Sequence, residues 1–195
     1  MGEKSQNSNQ LNLINPATEE LIAEIKLMDV DLIQKKVELS RTAFLIWKHS
    51  RIAERKNVIL QVIKYFQDNK SQISLDITKQ MGKPICQSLN EVDGAIYRMS
   101  GLIEISENAL KPSVISQKNG IYKKIIREPL GVVLNISAWN YPLLIAVNIV
   151  AASVLAGNSV IIKHSSTTPF CGQVFEDAFK QSDAPKNIVQ NMMKI

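Results

Sequence analysis

Two short polar stretches carry the residue types from which a site could be built: Ser137-Ala138-Trp139-Asn140-Tyr141-Pro142 and Lys163-His164-Ser165-Ser166-Thr167-Thr168-Pro169. Each follows a compact apolar run and leads into a segment that a proline can start as a helix. The Asn140 carboxamide has two readings. As an N-cap it would satisfy an orphan helix amide. As an NH2 donor it would stabilise an oxyanion, a contact worth on the order of 10²–10³ in rate. Lys163 reads either as a surface cation or as a hydrogen-bond donor to a ribose or phosphate. His164 has no carboxylate near it in sequence to orient it as a base, so it reads as a helix-entry or surface residue.

The remaining reactive side chains offer less. Cys171 falls in the first turn of a predicted helix and reads as a small buried residue rather than a nucleophile. No residue near Cys86 would activate that thiol. With no CxxC spacing, and with His49 and His164 the only histidines, a zinc site is not expected. Asn135-Ile136-Ser137 matches a glycosylation sequon but lies inside a predicted core strand, so it is set aside. Neither a G-x-G-x-x-G nor a P-loop pattern occurs.

The elements that must position these stretches follow from periodicity. Residues 131–136 and 159–162 read as strands, 143–155 as a helix apolar nearly all round, 169–181 as a second helix and 188–190 as the start of a third strand. This βαβαβ order implies parallel strands with right-handed crossovers, the first helix being buried between the sheet and another layer. Ligands of open α/β sheets bind at the carboxyl ends of strands, where both polar stretches fall.

Upstream, residues 1–10 are polar and read as a flexible start, with order beginning near Leu11. Residues 15–20 have turn chemistry, and 21–27 alternate as a half-buried strand. Helical periods follow, from Asp29 or Asp31 as cap through Trp47, from Ile52 through Phe66, over 71–81 with Gly82 as a left-handed stop, and over 89–110. Residues 113–117 and 121–127, joined at Asn119-Gly120, read as a hairpin. Such a hairpin needs another surface to be stable, and a partner chain is one source of it.

Composition sets the broad class. The chain has 195 residues, 45% apolar and 21% charged, which is the balance of a folded globular protein. Its net charge of +5 comes from lysines spread along the chain, with Lys35-Lys36 and Lys123-Lys124 the only adjacent lysine pairs, so no nucleic-acid partner is expected. The longest apolar stretch, 143–156, is broken by Asn148 and Ser153 and falls short of the roughly 20 residues a membrane helix needs. No secretory signal opens the sequence. A cytoplasmic location with reduced thiols is the expectation.

The ordered series Glu128-Pro129-Leu130-Gly131, Ile136-Ser137-Ala138-Trp139-Asn140-Tyr141-Pro142, Ala156-Gly157-Asn158-Ser159-Val160-Ile161-Ile162-Lys163 and Thr168-Pro169 resembles the NAD(P)-dependent aldehyde dehydrogenase superfamily. Asn15-Pro16-Ala17-Thr18, the Trp47 to Arg55 helix entry and Met81-Gly82-Lys83-Pro84 resemble earlier parts of the same pattern. The resemblance implies an α/β fold, the N-terminal part of the aldehyde dehydrogenase fold. Its Rossmann-like parallel sheet would be incomplete here, with a helical lead-in and a β-hairpin oligomerisation arm.

In division, residues 1–10 would be the flexible start and 11–112 the lead-in of the cofactor-binding domain. Residues 113–128 would be the arm and 129–195 the first βαβαβ portion of the NAD(P)-binding domain. The resemblance further implies oxidation of an aldehyde to a carboxylic acid with NAD or NADP. Asn140 would be the oxyanion donor, Lys163 would reach the adenosine ribose, and Ile136, Ser137, Ala138 and Trp139 would line the cofactor cleft.

Departures refine this. Ala138 and His164 stand where the family usually has proline. Ser166 stands where many members carry a glutamate that accepts from the ribose hydroxyls, and the loss of that charge implies tolerance of NADP. The family's glycine-containing cofactor turn, nucleophilic cysteine and general-base glutamate fall beyond Ile195 on this alignment, so the chain by itself is expected to be catalytically incomplete. The alternative is a non-catalytic homologue that binds cofactor weakly or associates with a full-length relative. A homo-oligomer through the hairpin is the other expected partnership.

Overall fold

The computed structural model describes residues 10–194. The expected flexible start therefore lies outside the described residues except for Gln10, which opens an unexpected strand, β1 (Gln10–Ile14). β1 pairs antiparallel with β2 (Leu21–Lys26), from Gln10 opposite Lys26 to Ile14 opposite Leu21. Only Leu13 of β1 is buried, so the alternation that marks a strand is weak there and pairing supplies what pattern does not. The turn between them closes on the Asn15 side chain, whose Oδ1 accepts from Ala17 N at 2.9 Å.

Four helices follow: α1 (Val30–Trp47), α2 (Ile52–Asp68), α3 (Lys70–Met81) and α4 (Ile85–Leu110). Of the two acidic residues able to cap α1, Asp29 does so, accepting from Leu32 N at 2.8 Å. Gly82 ends α3 at φ +74°, the left-handed geometry its missing Cβ permits. α4 starts four residues before the predicted Leu89, because Pro84 is a ready-made entry and its carbonyl already accepts from Ser88 N. The exposed hairpin pairs β3 (Ser113–Lys118) with β4 (Ile121–Ile125). Asn119 and Gly120, both at positive φ, form the two-residue turn that suits strand twist.

The second half is the parallel sheet. β5 (Val132–Ser137), β6 (Ser159–His164) and β7 (Val189–Asn191) lie in the order β5-β6-β7, connected by α5 (Pro142–Leu155) and α6 (Pro169–Lys180). β6 runs two residues past the predicted Ile162, which takes Lys163 and His164 into the strand.

One core joins the halves. Phe66 of α2 meets Phe175 of α6 with ring centroids 5.2 Å apart, among fully buried Ile59, Val62, Ile77, Val92, Val147 and Ile162. Each such side chain contributes about 1.5–3 kcal/mol. The Trp47 indole donates to Val154 O at 2.9 Å, tying the end of α1 to the last turn of α5. α5 is less enclosed than its composition implied, since Asn148 and Ile149 face solvent.

Candidate functional site

Strand alternation sorts the residues at the carboxyl end of the sheet onto two faces. Asn135 and Ser137 point toward α5: Asn135 Nδ2 donates to Ala146 O at 3.5 Å, and Ser137 Oγ donates to Asn135 Oδ1 at 3.1 Å. Leu134 and Ile136 point the other way, beside their register partners Ile161 and Lys163. α1 packs on that second face over β6 and β7, where Gln190 Nε2 donates to Lys36 O at 2.7 Å and to Ser40 Oγ at 2.8 Å. Its cover stops short of the end of β5, and Ile136 is 70% exposed. Ile136 and Lys163 thus form an open apolar and cationic pair, while Ser137, also singled out in the sequence, is buried on the opposite face.

Ala138, Trp139 and Asn140 are all exposed in the loop that follows β5. Of the two readings of Asn140, the cap is not the one realised. Tyr141 occupies the N-cap position of α5 and makes no side-chain bond there. Among the described residues, the Asn140 carboxamide makes no hydrogen bond. The orphan amides of α5 go instead to Glu91 of α4, whose Oε1 accepts from Leu143 N at 2.9 Å and from Leu144 N at 3.4 Å. Glu91 Oε2 is ion-paired with the Lys83 ammonium, and both side chains are buried. Lys83 Nζ also donates to Asn140 O at 2.9 Å and lies 4.2 Å from the centroid of the Tyr141 ring.

The second loop is organised differently. His164 is 4% exposed, a correction to the surface or helix-entry expectation, because β6 continues through it and turns its ring toward α5. The backbone amide of Ser165 donates to Nδ1 at 3.0 Å, so Nδ1 is the acceptor and Nε2–H donates to Pro142 O at 3.1 Å. Thr168 Oγ1 also lies 3.2 Å from Nδ1. Burial pushes the His164 pKa below its ordinary value, against the Pro142 bond that raises it, with Lys163 adding to the fall. The amide of Phe170 in α6 goes to Gln80 Oε1 at 3.0 Å. Ser166 is half-buried in a narrow crevice with Leu11, Ile25, Leu27 and Met192, against the N-terminal hairpin. Cys171 is buried, as expected, and burial holds its thiol far above the ordinary range.

Dinucleotides in doubly wound sheets commonly place the pyrophosphate on the N-terminus of the helix after the first strand. Here that terminus is taken by a carboxylate, and the next helix N-terminus by a carboxamide oxygen. What this edge presents is the half-buried Lys163 beside its register partner Ile136, and the exposed apolar surface of Ile136 and Trp139. This donor set fits the nucleoside half of a dinucleotide, not its pyrophosphate. Among the described residues, no group of three or more His, Cys, Asp or Glu gathers as a metal site would require.

The aldehyde dehydrogenase family model matches residues 3–194, and the chain belongs to that family. Among its relatives, the mitochondrial acylating methylmalonate-semialdehyde dehydrogenase of Arabidopsis thaliana is 28% identical over 193 residues, 95% of this chain and 31% of that protein. Betaine aldehyde dehydrogenase of Vibrio vulnificus is 30% identical over 190 residues, covering 93% of this chain and 38% of its own length. The chain thus spans about a third of the length of these curated relatives.

Two solved structures share the fold. Succinic semialdehyde dehydrogenase from Streptococcus pyogenes, in complex with NADP+, superposes with a TM-score of 0.88 at 22% identity, over 95% of this chain and 41% of that one. PnpE in complex with nicotinamide adenine dinucleotide gives 0.90 at 22% identity, over 95% and 38%. The fold is the N-terminal part of the aldehyde dehydrogenase fold, with its parallel sheet, helical lead-in and hairpin.

Lys83, Glu91 and Gln80 receive no role in the sequence reading, which takes Gly82-Lys83-Pro84 as a helix stop and as part of the family pattern. A usable signal was present. Two helices begin at a proline with no side chain in the preceding residue bonded to their amides, and Glu91 interrupts the inward row Ser88, Val92, Ala95 of α4. A carboxylate on a buried helix face demands donors.

Proposed function

We propose that this chain forms the cofactor-facing and oxyanion-binding part of an NAD(P)-dependent aldehyde dehydrogenase that oxidises an aldehyde to a carboxylic acid. The observation that carries the reading is Asn140, an exposed carboxamide with no partner among the described residues, on a main chain gripped from behind by Lys83. Its NH2 is free to donate to an oxygen that gains charge as the carbonyl is attacked. The nicotinamide, when bound, supplies the hydride acceptor. Lys163 donates to the ribose of the adenosine, and Ile136, Ala138 and Trp139 offer apolar surface beside it. Ser137 contributes through its main chain, since its side chain is committed to Asn135. Ser166, a hydroxyl rather than a carboxylate, leaves room for the 2′-phosphate of NADP. The free thiols Cys86 and Cys171 suit a cytoplasmic location.

Titration of the chain with NAD and NADP, followed by quenching of Trp139 emission, tests this reading. Comparable affinities for the two are expected, Lys163→Met weakening both by about tenfold, and Ser166→Glu weakening NADP alone. Absence of binding, or a strong preference for NAD in the wild-type chain, overturns it.

A second reading concerns partners. Val114, Ile115, Ile121, Tyr122, Ile125 and Ile126 leave the hairpin apolar and exposed, which favours association of residues 113–128 with a second copy or a full-length relative. Sedimentation of wild type against Ile115→Lys checks it: the wild type should self-associate or co-sediment with such a relative, and the variant should not.

A further inference from the structure

Asn140 poses a physical problem: a donor must be held in place to act in catalysis, yet among the described residues this carboxamide has no hydrogen-bond partner. Preorganisation has to come through its backbone. That backbone is gripped at two adjacent points by one buried ion pair. Lys83 takes the carbonyl of Asn140, and Glu91 takes the amides of Leu143 and Leu144 just beyond. The two grips are joined through the Lys83–Glu91 contact. Lys83 comes from the link before α4 and Glu91 from α4 itself, 57 and 52 positions from the groups they hold, so neither grip is local to the loop.

The geometry that delivers Lys83 is equally specific. Gly82 turns the chain at φ +74°, and Pro84 caps α4 immediately after, leaving Lys83 as a one-residue link aimed into the protein. A Cβ on Gly82 would stand 3.2 Å from Pro16 Cγ, so a side chain there is penalised by space as well as by dihedral angle. Among the described residues the side chains of loop 138–141 make no hydrogen bond; beyond the clamp, its main chain is held only at its helix end, where Tyr141 O accepts from Ile145 N and the next carbonyl, Pro142 O, from His164 Nε2.

We infer that Lys83 and Glu91 are positioning residues for Asn140, a buried charged clamp that sets the placement of the oxyanion donor without touching substrate. The inference rests on the reading of Asn140 given above. The clamp makes a testable distinction between a loop that is held and a protein that is merely stabilised.

The test uses the 15N-labelled chain, comparing Lys83→Met and Glu91→Gln with Gln80→Leu, which uncaps α6 and leaves the clamp whole. Backbone order parameters at Asn140 and Tyr141 should fall from about 0.85 to below about 0.6 in both clamp variants and stay high in the control. The buried Trp47 indole should keep its resonance in all three. Glu91→Gln is isosteric and decides the matter should Lys83→Met fail to fold. An ordered loop in the clamp variants, or an equal loosening in Gln80→Leu, overturns the inference. Because this readout needs no cofactor, it fails separately from the proposed function: a loosened loop in a chain that binds neither NAD nor NADP upholds the clamp and overturns the function.

Discussion

The two corners at the carboxyl edge of the sheet solve the same problem by opposite means. Each leads from a parallel strand into a helix that begins with proline, and each helix has amides its own loop leaves unsatisfied. At the β5–α5 corner the partner is a charged side chain within a buried ion pair, and among the described residues the loop's own side chains form no hydrogen bonds. At the β6–α6 corner the partner is the neutral Gln80, and the loop holds itself through His164, Ser165 and Thr168. A self-bonded loop has its polar groups occupied. A loop held from behind keeps them free, which a binding edge requires.

Breaking the charged corner should cost most. Lys83→Met leaves the Glu91 carboxylate buried without its counter-ion, a loss of about 3–5 kcal/mol measurable by urea unfolding. Gln80→Leu removes a neutral acceptor from one buried amide and should cost about 1–3 kcal/mol. The exposed cap at the start of α1 sets the scale for a terminus in water, where Asp29→Ala should cost about 1 kcal/mol. If the first two substitutions prove equal, the contrast between corners is not electrostatic.

The finest test uses pH and acts on His164, which belongs to the second corner and touches the first only through Pro142 O. The folded chain keeps His164 neutral below the ordinary imidazole value of 6.5, whereas the unfolded chain binds the proton there. Stability contributed by His164 is therefore complete above about pH 6.5 and is lost as pH falls through the lowered native value. Melting temperature should drop as pH falls below about 6.5 in wild type, with a shallower slope in His164→Gln. Trp139 emission should be insensitive to this titration if the corners are independent. A coupled response would implicate the His164 to Pro142 bond that joins them.

Elements with strong local signals were legible in advance. The left-handed stop at Gly82 and the Asn119-Gly120 turn depend on neighbours within a few residues and stand as read, and the α1 cap, read as Asp29 or Asp31, falls on Asp29. So does the parallel βαβαβ order, because hydrophobic period and proline starts are local. β1 was not legible, since a single buried residue leaves little alternation and its partner lies across a turn. The candidate site residues Ile136, Ser137, Ala138, Trp139, Asn140, Lys163 and Ser166 could be named from the sequence, and the structure places them at or beside the carboxyl ends of β5 and β6. Their grouping could not be read from the sequence. Alternation across β5 buries Ser137 away from Ile136, and Ser166 lies against a hairpin that begins more than a hundred residues earlier.

The sequence alone determined the family, the order of the elements and the residues at the strand ends, because each rests on residue type and short-range spacing. Only the tertiary structure decided what those residues are bonded to. Glu91 lies 52 positions from Leu143, and Lys83 lies 57 from Asn140. A buried charge finds its partner wherever folding places one, and no spacing rule reaches that far.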